Sequence, residues 1–134
     1  MFDSIKHGML AALVLGTALY GDTIGIIGGK NLSVSPNPPM AFLVSSTGSL
    51  TPLNFPGVTE GAISTVAINN FGESLIGGVN LTGLSPIAFL ASSAGSVSPL
   101  SLSATPSGFV NSVAISDSGI GLISGGIPGG GTLT

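Results

Sequence analysis

Few side chains in this sequence can do chemistry. The acids are Asp3, Asp22, Glu60, Glu73 and Asp117, the cations are Lys6 and Lys30, His7 is the single histidine, and cysteine is absent. Two facing carboxylates would serve as general acid and base, but Asp22 and Asp117 fall in turns and Glu73 follows a turn glycine. Acids so placed bond nearby backbone amides, so a carboxylate pair would have to form between separate parts of the chain. No Asp-rich calcium loop is present, and without cysteine there is no thiolate metal site. Ala91-Ser92-Ser93-Ala94-Gly95 approaches the Gly-x-Ser-x-Gly nucleophile elbow, with alanine for the first glycine. The same pattern stands at Val44-Ser45-Ser46-Thr47-Gly48, which marks it as turn chemistry used twice. His7 is the only base for Ser93, and it lies in the N-terminal segment, so no Ser-His-Asp triad is predicted.

Phosphate-binding motifs fail in the same way. Gly25-Ile26-Ile27-Gly28-Gly29-Lys30 has Ile24 where a P-loop needs glycine, and Asn31 where it needs Ser or Thr. Gly119-Ile120-Gly121-Leu122-Ile123 is followed by Ser124 rather than the last glycine of a dinucleotide fingerprint, and no helical pattern follows. Asn31-Leu32-Ser33 and Asn80-Leu81-Thr82 fit the glycan acceptor pattern, but they recur at equivalent places and read as inherited turn asparagines. The sequence therefore predicts no catalytic residue, no cofactor and no metal.

Composition narrows the partners. Two basic residues cannot track a phosphate backbone, so nucleic acid is excluded as a partner. Charged residues are 5% of the chain, against about 25% in an ordinary domain, and the net charge of −3 is too small to steer a ligand. Solubility rests on hydroxyls and backbone, a surface that predicts self-association. The absence of cysteine does not fix the compartment.

What must position these side chains is a repeat. Ala41-Phe42-Leu43-Val44-Ser45-Ser46-Thr47-Gly48 returns as Ala88-Phe89-Leu90-Ala91-Ser92-Ser93-Ala94-Gly95, and Val66-Ala67-Ile68 as Val113-Ala114-Ile115, both 47 residues on. Each unit holds two apolar stretches broken by a turn. Asn69-Asn70-Phe71-Gly72 and Ser116-Asp117-Ser118-Gly119 begin with Asn or Ser and end in glycine, the grammar of a type I turn closed by a left-handed glycine. The glycine pairs Gly28-Gly29, Gly77-Gly78 and Gly125-Gly126 mark close backbone approach or bulges. Four short strands in about 40–50 residues make the size of a propeller blade. The expected fold is all-β, with β-propeller-like blades of four antiparallel strands. About two and a half units are present, too few to close a ring of about 4–8 blades. The expected partners are therefore further copies of the chain or flanking repeats of a longer one.

Residues 1–20 read either as a secretory signal, with an apolar core after Lys6, or as part of a first strand. The second reading aligns residues 17–29 with 66–78. The apolar run is too short for a membrane span, which needs about 20 residues. Residues 17–126 carry the repeats, and 127–134 are a glycine-rich tail or the start of a truncated unit.

Ala41-Phe42-Leu43, Ala88-Phe89-Leu90 and Ala67-Ile68-Asn69-Asn70-Phe71-Gly72-Glu73-Ser74-Leu75-Ile76-Gly77 resemble extracellular repeats of the HAF type. Those run His-Ala-Phe-Leu-Trp and later Gly-Ile-Asn-x-x-Gly-x-Val-Val-Gly. The chain is also similar to the repetitive propeller passengers of some bacterial autotransporters. The family histidine is Met40 or Ile87 here and the tryptophan is Val44 or Ala91, and no translocation barrel is present in the sequence given. The resemblance implies a secreted or cell-surface β-propeller on a bacterial exterior, and it carries over no catalytic residue. The expected function is a non-catalytic structural or binding module for adhesion or display. Its binding face would be built from the turns at Asn69, Asn70 and Gly72 and at Ser116, Asp117 and Gly119, against a surface glycan or protein. A glycan-acting propeller and a self-assembling matrix protein are the other readings.

Overall fold

A computed structural model describes residues 9–15, 23–102, 107–127 and 132–133. Among them the fold is all-β and antiparallel, without a helix. The first sheet is β1 (Met9–Leu15), β2 (Thr23–Asn31), β3 (Pro39–Ser45) and β4 (Leu50–Pro52), paired in chain order. The second repeats that plan with β5 (Gly61–Ile68), β6 (Ser74–Asn80), β7 (Ser85–Ala91) and β8 (Val97–Pro99). The third holds β9 (Phe109–Ile115) and β10 (Gly121–Gly126), with β11 (Thr132–Leu133) on the far side of β10. All three sheets are open-edged.

The sequence leaves the bounds of the first strand open within residues 1–20. The expected strand pair forms, but its outer member is Met9–Leu15, pairing Leu15 with Gly25 and Met9 with Asn31. The part of the expected strand at 17–20 lies outside the described residues. The physical reason is that the stretch from Met9 to Tyr20 is apolar or small almost throughout, so periodicity cannot say where a strand within it starts. The tail also gains a role: Thr132–Leu133 pairs with Gly125 and Gly126, the place that β7 takes beside β6.

The sheets stack face to face, β2 on β5 and β6 on β9. Strand residues alternate between faces, so Ile26, Gly28, Ala41 and Leu43 of the first sheet look toward the second. They meet Ile63, Val66, Ile76 and Phe89 in one core with Leu53, Phe55 and Ala91. The Phe55 ring stands edge-on to Phe89 at 4.9 Å between centroids, a geometry that ring quadrupoles favour. Leu75 and Ile76 are adjacent and buried alike, one on each face, because the second sheet is covered on both sides.

Glycine makes this stacking close. A Cβ on Gly28 would stand 2.5 Å from Ile63 Cγ2, and one on Gly77 would run into Val110 Cγ1. Ile63 and Val110 are themselves 47 residues apart, so the same knob enters the same glycine gap twice. Beside each knob is a bulge. The registers slip between Ile63 and Thr65 and between Ser124 and Gly125. The first slip leaves Ser64 unpaired on β5, and its Oγ donates to Val110 O at 2.6 Å.

Ser74 departs from the pattern. Its side chain is 0% exposed and its Oγ has no hydrogen-bond partner, whereas the equivalent residues on β2 and β10 are Gly25 and Gly121. A buried hydroxyl without a partner costs about 1–3 kcal/mol. Ser74→Ala is therefore expected to raise stability by about 1 kcal/mol, read as a higher urea midpoint at unchanged slope; a lower midpoint would show that the hydroxyl is satisfied.

Candidate functional site

Four turns share one construction. In each, an Asn or Ser carbonyl accepts from the glycine amide three residues on: Ser45 from Gly48 at 2.9 Å, Asn69 from Gly72 at 3.1 Å, Ser92 from Gly95 at 3.0 Å and Ser116 from Gly119 at 3.0 Å. The glycines have φ of 83, 80, 93 and 80°, the left-handed region that an L side chain occupies at a cost. The first residue's side-chain oxygen then accepts the next amide, from Ser49 at 2.9 Å, Glu73 at 3.0 Å, Ser96 at 3.2 Å and Ile120 at 3.1 Å. This is the expected turn, and only a short acceptor side chain followed three residues later by glycine can make it.

In an antiparallel meander, the turn after the first strand and the turn after the third lie at the same end. These four turns accordingly lie at one end of their sheets, and the 69–72 turn is joined to the 116–119 turn of the next sheet. Asn69 Nδ2 donates to Ser116 O at 3.0 Å and to Glu73 Oε1 at 3.0 Å. The Asn70 amide donates to Asp117 Oδ1 at 2.9 Å, and Asn70 Nδ2 donates to Asp117 Oδ2 at 2.8 Å. Thr23 Oγ1 donates to Ser93 O at 2.9 Å. A Cβ on Gly72 would stand 2.9 Å from Ser93 Cβ, so this glycine is needed for the approach of its neighbours as well as for its own φ.

The expected site residues Asn69, Asn70, Gly72, Ser116, Asp117 and Gly119 therefore lie together on two adjoining turns. Their polar atoms are largely spent on each other. Both oxygens of Asp117 accept from Asn70, and Glu73 Oε1 accepts from Asn69, so Asp117 ties two turns together and Glu73 braces its own. Among the described residues no group of three or more His, Cys, Asp or Glu could hold a metal ion. His7, Asp3, Asp22 and Lys6 lie outside the described residues. The expected glycines sit as strand residues: Gly28, Gly29, Gly77 and Gly78 on β2 and β6, and Gly125 and Gly126 on β10. The Gly25–Lys30 segment is extended strand rather than a phosphate loop.

The opposite end differs. Asn31 Oδ1 accepts from Ser33 N at 2.9 Å and Asn80 Oδ1 from Thr82 N at 3.0 Å. Both asparagines thus make Asx-turns where β2 and β6 end, the turn role their repeat positions suggested.

Sequence reasoning passed over Phe71. It occupies the third position of the 69–72 turn, with its amide held by Asn69 Oδ1 at 3.0 Å and its side chain 41% exposed. An aromatic ring on a braced turn is a low-entropy contact surface. The signal was available: the residue stands between Asn70 and Gly72 in a turn already read from the sequence.

No helix of the described residues is long and apolar enough to cross a membrane. The chain matches no protein-family model, and the search of curated proteins returned no match, so the site is judged on its geometry alone.

Proposed function

We propose that this chain is a non-catalytic structural and binding module, a run of β-propeller-type units from a secreted or cell-surface protein of the HAF-repeat kind, used in adhesion or display. Meandering sheets stacked face to face at a near-constant period are the parts of such a fold, which gathers the turns of successive blades on two ends. The observation that carries the reading is the hydrogen-bonded latch between turns 69–72 and 116–119. It spends the acids on scaffolding and leaves a braced platform from which Phe71 projects. Loops held rigidly by a scaffold are where binding residues concentrate.

The test is binding of the full chain to glycan and extracellular-protein arrays, followed by Phe71→Ala and Asp117→Asn. For a display module, Phe71→Ala lowers affinity for the retained ligand at least tenfold at a temperature well below the melting midpoint of both proteins. Asp117→Asn loses local stability and no turnover of any glycan. Glycan turnover that is lost with Asp117→Asn or Glu73→Gln would overturn the non-catalytic assignment.

A further inference from the structure

The third sheet exposes a face that the same chain buries twice elsewhere. Ile26 on β2 is 0% exposed beneath the second sheet, and Leu75 on β6 is 2% exposed beneath the third. Leu122 holds the equivalent place on β10 and is 71% exposed. Ala114, Ser112 and Ser124 share its face by register and are exposed with it. No charged residue guards this surface, unlike the usual protection of an open β surface. Leu100 tells the same story at the flank: it is exposed, while its equivalent Leu53 is buried in the core.

What covers such a face is written into the chain. Each time, it is the first strand of the next sheet, β5 on β2 and β9 on β6. The remaining strand of that kind is β1. On β1, Ala11 pairs with Gly29 and Leu13 with Ile27. These are the register positions that Ile63 and Val66 hold on β5, opposite Gly78 and Ile76. The residue types at these register positions agree with a contact between β1 and β10. Where the gap residue is Gly28 or Gly77, the knob is Ile63 or Val110. On β10 the gap residue is Ser124, and on β1 the knob position is Ala11. A larger gap residue is matched by a smaller knob.

We infer that the outer face of the third sheet, centred on Leu122 and Ser124, docks the β1 strand of a second copy of this chain, head to tail. The contact is heterologous: it closes into a ring if the rotation per copy allows, and otherwise grows as an open filament. This rests on the propeller-type reading for its geometry, and the particle shape tests that reading separately.

The chain has no cysteine, so an engineered pair reports cleanly. Full-length Ala11→Cys and Ser124→Cys proteins are mixed under mild oxidation, while light scattering follows the unmodified chain over a concentration series. The expected results are a discrete assembly and a disulfide that forms in the mixture far faster than in either variant alone. Leu122→Arg and, independently, Ala11→Ile each raise the concentration for half-assembly at least tenfold, with the monomer's circular dichroism unchanged. A monomer at every concentration would overturn the inference and assign the face to other chain or another protein. Disulfides confined to Ser124→Cys alone would overturn it in favour of face-to-face dimers. By electron microscopy, rings uphold both interface and propeller reading, whereas filaments carrying the Ala11–Ser124 cross-link uphold the interface and overturn ring closure.

Discussion

Gly77→Val is expected to cost about 3 kcal/mol, the upper end of what overpacking a core usually costs. The loss should fall on the junction between the second and third sheets. Even a Cβ at this position would run into Val110 Cγ1 and stand 3.0 Å from Thr65 Cγ2. Val110 is fully buried and branched at Cβ, so it cannot swing aside as a flexible side chain would. Gly77→Ala should cost less, about 1–2 kcal/mol, since alanine recovers part of the backbone entropy that glycine loses in a strand. Val110→Ala alone opens a cavity and costs about 2 kcal/mol. The pair Gly77→Ala with Val110→Ala should then be milder than the sum of the two by at least about 1 kcal/mol. Denaturant titration of the four proteins gives the coupling. Strict additivity would mean that the glycine is required for another reason, and the account of sheet stacking would fall.

Asn69→Ala carries the second large effect. This side chain is only 4% exposed and makes four hydrogen bonds, donating to Ser116 O and Glu73 Oε1 and accepting from the amides of Phe71 and Glu73. At about 1 kcal/mol net for each bond, with part of the partners regaining water, the loss should be about 3 kcal/mol. Asn69→Ser should cost about half of that, because Ser45, Ser92 and Ser116 hold the same turn position with a hydroxyl. The serine hydroxyl can accept the following amide but is too short to reach Ser116 O as the asparagine amide does. The loss in Asn69→Ser thus measures what the side chain adds beyond the turn, its bonds to Ser116 O and Glu73 Oε1. No loss in Asn69→Ser would show that the cross-sheet bond contributes nothing.

These two sites also show what could be read from residues alone. The turns were legible because their chemistry is local: an Asn or Ser oxygen and a glycine three places on need nothing from the rest of the chain. The glycine pairs were legible as places of close approach, but not what approaches them, since Ile63 and Val110 arrive from a different sheet. The cross-sheet bonds of Asn69 and Asn70 were likewise out of reach, although the recurrence of their turns placed both residues on one surface. The bounds of β1 were out of reach because a run of small and apolar residues offers no punctuation. Ser74 could not have been singled out, because a serine on a strand is ordinary until its burial is known. The outer face of the third sheet was invisible for a related reason. Leu122 stands before an isoleucine just as Leu75 does, and nothing in that local pattern tells which of the two a strand covers.

A chain made of near-copies carries its own competitors during folding, since any hairpin that fits a neighbour's seat can be taken up in the wrong order, a recognised hazard of repeat proteins. Ser124 bears on this. If the β9–β10 hairpin exchanged places with β5–β6, Ser124 would put a side chain in the gap that Gly77 leaves open, and Ile63 would be the knob meeting it. The swap is therefore penalised by one atom group, without a charge or a covalent link to enforce it. A single serine gives the third hairpin an address, and the order of sheets along the stack becomes a property of the sequence rather than of the direction of synthesis.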